Sequence, residues 1–239
     1  MQDSTPPRIQ LLDALRGFCI LLVIAYHFGY NLVAREYIPR EALYNPVLDV
    51  LQPFFAGVFI VLAGVSSRFS RSNLKRGLLL LGCALLVTAV SFAALPDPGL
   101  SLRAVFGFYQ PAEGEQIGVP VMFGILHLLA VCILLYALLE KMRLTAPAVV
   151  LSAFFLLRSG VTAWPEVPSA DYFPLVPWAF AFFFGVWLGG PIREGTFPPW
   201  FYQMKIPVFP AIGRRTLLIY LLHQPALYGI LWIAETVIG

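Results

Sequence analysis

The stretch LLDALRGFCILLVIAYHFGYNLV, residues 11–33, is apolar enough to cross a membrane, yet it holds Asp13, Arg16, His27 and Asn31. A spanning helix needs roughly 20 residues, and this run supplies them. At about 100° per residue, the eleven steps from Arg16 to His27 end about 20° past three full turns, so His27 lies nearly above Arg16. Asp13 and Asn31 each fall about 60° from Arg16, on the same side. The four polar groups share one stripe, with His27 about 16 Å further along the axis than Arg16. Charge facing lipid is costly, so the stripe is expected to border protein or a wet cavity.

The whole chain fits that setting. Its 239 residues are 59% hydrophobic and only 12% charged, about half the charge of a soluble domain. A membrane barrel would show short alternating segments, whereas the apolar runs here are long and continuous. The expectation is an all-α, polytopic bundle of about seven spans, near 11–33, 48–67, 76–95, 119–139, 145–163, 172–190 and 215–235. Residues 1–10 read as a cytoplasmic tail and 11–239 as a single transmembrane domain. The tail is not expected to be a cleaved signal, because the first apolar run is too long and no small-residue cleavage site follows it. Cys19, Cys83 and Cys132 lie inside apolar runs and read as packing residues, not disulfides.

Basic residues set the orientation. Arg68, Arg71, Lys75 and Arg76 share one connection, Lys141 and Arg143 another, and Arg193, Lys205, Arg214 and Arg215 a third. The alternate connections hold Arg35, Arg40 and Arg103 among a majority of acids. The N-terminus is therefore expected in the cytoplasm and the C-terminus outside.

All three histidines, His27, His127 and His223, fall inside spans. Intramembrane imidazoles suit proton transfer, although a lone histidine is often a satisfied core residue. Asp13 and Arg16, three apart, can equally be a packing ion pair. Three histidines can hold zinc, but no ligand spacing points to a metal and none is expected. Gln224 and Pro225 follow His223, which predicts a kink in the last span. Thr216, Tyr220 and His223 share a helical face suited to interhelical hydrogen bonds.

Three blocks, LLDALRGFCILLVIAYHFGYNL, VMFGILHLLAV and IGRRTLLIYLLHQPAL, together resemble the catalytic domain family of heparan-alpha-glucosaminide N-acetyltransferase, in particular its short bacterial branch. The resemblance runs from Arg8 to about Ile233. It implies a polytopic enzyme that moves an acetyl or other acyl group from cytoplasmic acyl-coenzyme A to an amine or hydroxyl of a glycan-like acceptor on the far side. It also implies lipid and sugar precursors as partners, an inner-membrane location and no nucleic acid; a homo-oligomer is left open. Asp13 and Arg16 match the family's Asp-x-x-Arg-Gly start, and His127 and His223 match histidines of the bacterial branch. The lysosomal members differ: they carry a histidine in the first extracytoplasmic loop, where residues 34–47 have none, and an amide where His27 stands.

On that footing His27 is the first choice for the base that deprotonates the acceptor and His127 the second. Asn31 would hold the acceptor or donate to the oxyanion. Asp13, Arg16, His223 and Gln224 would support them. Arg68, Arg71, Arg76, Arg214 and Arg215 would meet the phosphates of coenzyme A, although cytoplasmic topology alone also explains such residues. Two rival readings use the same residues: a proton-coupled transporter with Asp13, His27 and His127 as relay, and a structural membrane protein whose stripe is simply packed.

Overall fold

A computed structural model of the chain describes residues 8–95, 119–142, 169 and 171–238. Every regular element among them is helical. In chain order they are α1 (Gln10–Ala34), a single 3-10 turn (Arg40–Ala42), α2 (Pro46–Ser67), α3 (Asn73–Ala93), α4 (Ile125–Lys141), α5 (Leu175–Glu194), α6 (Pro199–Gln203), α7 (Phe209–Gly213) and α8 (Thr216–Ile238). Five of these, α1, α2, α3, α5 and α8, are long and apolar enough to cross a membrane. Large apolar side chains are exposed along them, Leu78, Leu79, Leu85 and Leu86 on α3 and Leu218, Leu222, Ile230 and Ile233 on α8. Buried Asp13, Asn31 and His223 lie inside. That pattern, apolar outward and polar inward, suits lipid. The chain is an integral membrane protein. The span expected near 145–163 lies outside the described residues.

The helices fall into two compact units, residues 1–62 with 191–239 and residues 63–190; the boundary passes within α2 and α5. In the first unit, α1 packs against α6, α7 and α8. The tightest contact is between backbones. A Cβ on Gly17 would strike the carbonyl of Phe209, and one on Gly213 would strike the carbonyl of Asp13. Small residues let helices approach this closely, so α7 lies directly across the first turns of α1. A strained turn delivers it there. Val208 has φ 65 and ψ −65, and the Phe209 N–H donates to the Pro207 carbonyl at 2.8 Å, which closes a γ-turn of the rare hand.

Contacts along α1 and α8 then ascend together: His27 meets His223, Asn31 meets Gln224, and Arg35 meets Tyr228 and Glu235. The two helices are parallel. Helix α8 passes through Pro225 as one element, where the sequence predicts a kink; the lost N–H leaves one helical carbonyl to find another partner.

In the second unit α3 and α4 are antiparallel, with Asn73 beside Glu140, Gly77 beside Leu134, and Thr88 beside His127. The Ser72 side chain caps α3 by accepting from the Lys75 N–H at 3.3 Å. Helix α4 starts at Ile125, later than the expected 119. The preceding backbone satisfies its polar groups without a helix. Val121 donates its N–H to Ser91 Oγ and accepts from Thr88 Oγ1, while the Met122 and Phe123 N–H groups both donate to Ser169 Oγ at 2.9 Å. Buried backbone groups need partners, not a particular secondary structure. Met142 and Ser169 consequently sit at opposite ends of α4.

The glycine contacts make a paired test. Gly213→Ala should lower the thermal unfolding midpoint in detergent, with a loss of about 1–3 kcal/mol for forcing the backbones apart. Gly229→Ala, on α8 with nothing within 4 Å of the added carbon, should be neutral or stabilise by about 0.5–1 kcal/mol. Equal effects at the two sites would contradict the clamp.

Candidate functional site

The row of polar residues on α1 resolves into separate clusters within the first unit. Nearest the start of α1 is Asp13, 3% exposed. Its carboxylate accepts from Arg8 Nε and, at 3.1 Å, from Arg16 Nη1. A buried carboxylate needs such partners, and α7, lying over the Asp13 backbone, helps to bury it. The Thr216 hydroxyl donates to the Gly213 carbonyl at 2.6 Å and ties the start of α8 to the end of α7. Between these two helices Arg214 and Arg215 are exposed.

Further along α1, Ile20 is 1% exposed on the same side and interrupts the polar row. Beyond it lies the central cluster. The His27 and His223 rings have centroids 5.0 Å apart. Tyr26 and Tyr220 flank them at 6.0 and 5.2 Å. His223 Nδ1 makes a short contact with the Tyr220 carbonyl. A carbonyl oxygen can only accept, so Nδ1 carries the hydrogen and, in the neutral ring, Nε2 carries the lone pair. One turn beyond His27, Asn31 is fully buried, and its Nδ2 donates to Gln224 Oε1 at 3.1 Å. Asn31 Oδ1 is buried with no hydrogen-bond partner among the described residues. Thus four of the expected site residues, His27, Asn31, His223 and Gln224, gather at one place on the α1–α8 seam.

The seam is closed at its far end. Arg35 Nε pairs with Glu235 at 2.9 Å while its guanidinium lies over the Tyr228 ring at 5.0 Å. The Tyr37 hydroxyl donates to the same Glu235 oxygen at 3.1 Å. Both reach Glu235 because α1 ends in a left-handed turn at Glu36, φ 61, with the Tyr37 N–H donating to the Leu32 carbonyl and the Glu36 N–H to that of Val33.

His127 belongs to the second unit, where both ring nitrogens are engaged. Nδ1 accepts from the Gly124 N–H at 3.3 Å, and Nε2 lies 3.1 Å from Thr88 Oγ1. A histidine thus takes the place that glutamate usually fills three residues into a helix. The arginines of this unit divide in two. Arg68 donates to the Tyr136 hydroxyl at 3.2 Å and lies 3.8 Å from Glu140, and Arg76 donates to Ser67 Oγ at 3.2 Å. Asn73 bridges the Ser67 carbonyl and Glu140, whose other oxygen accepts from Tyr136 at 2.8 Å. Arg71 is exposed.

Sequence reasoning missed Arg8 as the second cation on Asp13, and Glu235, Tyr136 and Glu140 as partners of arginines. A weak signal existed for two of them: Tyr136 and Glu140 are four apart on one helix, and Glu140 is an acid at an end otherwise rich in bases. Among the described residues no three His, Cys, Asp or Glu side chains gather into a metal-sized cluster.

Asp13 offers a direct test of this arrangement. Asp13→Asn would leave Arg16 without its carboxylate, and removing one partner of a buried pair costs about 3–5 kcal/mol. Arg8→Ala, at a side chain 62% exposed, should change the unfolding midpoint little. Thermal denaturation of both variants in detergent reads the difference; an unchanged Asp13→Asn would refute the pairing.

Neither the curated proteins nor the solved structures offer a match to this chain. A protein family does: residues 8–225 match the one described as heparan-alpha-glucosaminide N-acetyltransferase, catalytic. The match begins at the arginine that pairs with Asp13 and ends just past His223 and Gln224, so it takes in the whole central cluster. The chain belongs to the heparan-alpha-glucosaminide N-acetyltransferase catalytic family.

Proposed function

We propose that the protein is a membrane acyltransferase, moving an acetyl or other acyl group from cytoplasmic acyl-coenzyme A to an amine or hydroxyl of an extracytoplasmic, glycan-like acceptor. The observation that carries this reading is the convergence of His27, Asn31, His223 and Gln224 on the α1–α8 seam, in a chain of this family. His27 is the base: it takes the acceptor's proton as the nucleophile attacks the thioester carbonyl. Asn31 Oδ1, buried and lacking a partner among the described residues, suits the N–H or O–H of that acceptor. His127 is a less fitting base than His27, since Nδ1 already caps the start of α4 and Nε2 already meets Thr88 of α3.

Seven spans remain the topology we favour, with residues 11–239 as one domain, the tail of residues 1–10 in the cytoplasm and the C-terminus outside. The parallel course of α1 and α8 supports an odd count. Met142 and Ser169 lie at opposite ends of α4, in keeping with that count. The basic ends of the helices then face the cytoplasm of a bacterial inner membrane. Of the arginines proposed for the phosphates of acyl-coenzyme A, Arg71, Arg214 and Arg215 are exposed, while Arg68 and Arg76 are held in the Tyr136–Glu140 network.

The test is a turnover assay. Purified protein in lipid discs, given labelled acetyl-coenzyme A and a pool of amino sugars and glycan precursors, should release thiol and label an acceptor. His27→Ala should lower that rate by at least about 10²-fold. Full turnover by His27→Ala would remove the base, and substrate flux into vesicles without thioester cleavage would make the protein a transporter.

A further inference from the structure

Three membrane helices have an end at one place in the first unit. Helix α5 finishes at Glu194 and α8 starts at Thr216; the two five-residue helices between them, α6 and α7, are too short to cross a bilayer. Residues 195–215 therefore stay on one side of the membrane. They also meet the start of α1, where the Ile206 N–H donates to Gln10 Oε1 at 3.4 Å and α7 lies across Asp13 and Gly17. Hydrogen bonds fasten the stretch to the last turn of α5. The Tyr202 hydroxyl donates to the Ile192 carbonyl at 3.0 Å and accepts from the Phe197 N–H at 3.2 Å, and the Thr196 hydroxyl donates to the Pro191 carbonyl at 3.0 Å. Phe201 is buried against Phe197, with ring centroids 4.9 Å apart. Trp200, Met204 and Val208 are exposed instead, Trp200 at 58% and Val208 at 69%. From 193 to 215 the sequence has four bases, Arg193, Lys205, Arg214 and Arg215, and one acid, Glu194, and all five are exposed.

We infer that residues 197–208 form a foot in the headgroup layer of the leaflet on that side, and that the foot takes an anionic phospholipid in preference to a neutral one. Two properties of the surface select this partner. Its apolar side chains lie where three spans enter the bilayer, the depth at which the amphipathic ring of tryptophan is at home. Its charge is positive, and a lysine beside anionic headgroups is attracted to them. A free phosphate would answer Lys205 but leave Trp200, Met204 and Val208 in water. A neutral lipid would cover the apolar side chains and leave the excess of bases unanswered. An anionic phospholipid serves both. The foot runs directly into the turn at Val208 that delivers α7 to α1, so a lipid held there braces the Gly17–Gly213 contact and stabilises the folded chain by mass action. The inference does not depend on the acyl-transfer reading.

Two measurements on the full chain in lipid discs test it. With fluorotryptophan incorporated, the fluorine resonance of Trp200 is assigned by its loss in Trp200→Phe. A nitroxide carried just below the lipid headgroup should broaden that resonance, while a gadolinium chelate in the water should spare it. The opposite pattern would put Trp200 in water, as a surface kept for a soluble partner requires, and would overturn the foot. The second measurement concerns charge. Phosphatidylglycerol added to phosphatidylcholine discs should raise the unfolding midpoint. Lys205→Glu should keep the midpoint seen in phosphatidylcholine alone yet lose about half of the rise or more, and salt should weaken the rise in the wild type. A rise of the same size in Lys205→Glu, or none in the wild type, would overturn the preference for an anionic lipid. Glycerol phosphate dissolved around phosphatidylcholine discs should not reproduce the rise; if it does, the bases bind a free phosphate and the lipid assignment fails.

Discussion

The first unit is organised by one contact, the backbone of α7 against the backbone of α1 at Gly17 and Gly213. Neither residue has a side chain to hold the helices apart, and the turn at Val208 sets the direction in which α7 arrives. Because α8 follows α7 after two residues, it must set out beside α1 and in the same direction. Gly17 and Gly213 are in contact, and His27, ten residues on along α1, meets His223, ten residues on from Gly213 and within α8. The equal spacing means that the register of the central cluster is set at the clamp. A β-branched residue with positive φ is a costly way to start a helix, on the order of 1–3 kcal/mol, and the contact it makes possible is what keeps it there.

Along the seam, polar groups are sorted by the charge they carry. The ionised groups lie toward the ends, Asp13 with Arg8 and Arg16 at one and Arg35 with Glu235 at the other. The centre holds two imidazoles and two amides, all of which can be neutral. Charge costs most at mid-membrane and least near the interfaces, so this order is the cheap one for a helix pair that must keep polar chemistry in its interior. The same rule appears within the second unit. Its guanidiniums cluster where α2 ends and α3 begins, with Glu140 and the Tyr136 hydroxyl among them, while the other end of α3 and α4 carries hydroxyls and the neutral cap made by His127.

Much of this was legible in the sequence, for a physical reason. Apolar length and helical periodicity are local properties, so the spans of α1, α2, α3, α5 and α8 and the shared face of Asp13, Arg16, His27 and Asn31 can be read from spacing alone. The start of α4 could not be. It depends on Ser91 and Ser169 supplying partners to residues 121–123, and Ser169 is far away in sequence. Nor could spacing show that Ile20 divides the polar row, since periodicity gives a direction around the helix and not what fills the space there. The union of His27 with His223 depends on a five-residue helix, α7, that is too short to leave a periodic signal. Its only trace in the sequence is the glycine at 213, which marks a close approach without naming the partner.

The family match ends at Pro225, but the seam does not. Helix α8 continues to Ile238, and Glu235, ten residues past the end of the match, receives both Arg35 and Tyr37. The central cluster thus lies within the matched residues, whereas the closure at the far end joins Arg35 and Tyr37, inside the match, to Glu235, outside it. Glu36 bears on the same point. Glycine is the residue that most readily ends a helix in the left-handed conformation, and a glutamate there costs about 1 kcal/mol. The turn nevertheless does something a straight continuation of α1 would not: it aims Arg35 and Tyr37 at one carboxylate from successive directions. The N–H groups of Tyr37 and Glu36, bonded to the carbonyls of Leu32 and Val33, hold that conformation. Arg35, Tyr37 and Glu235 converge there, which ties the turn that follows α1 to the end of α8 in this chain.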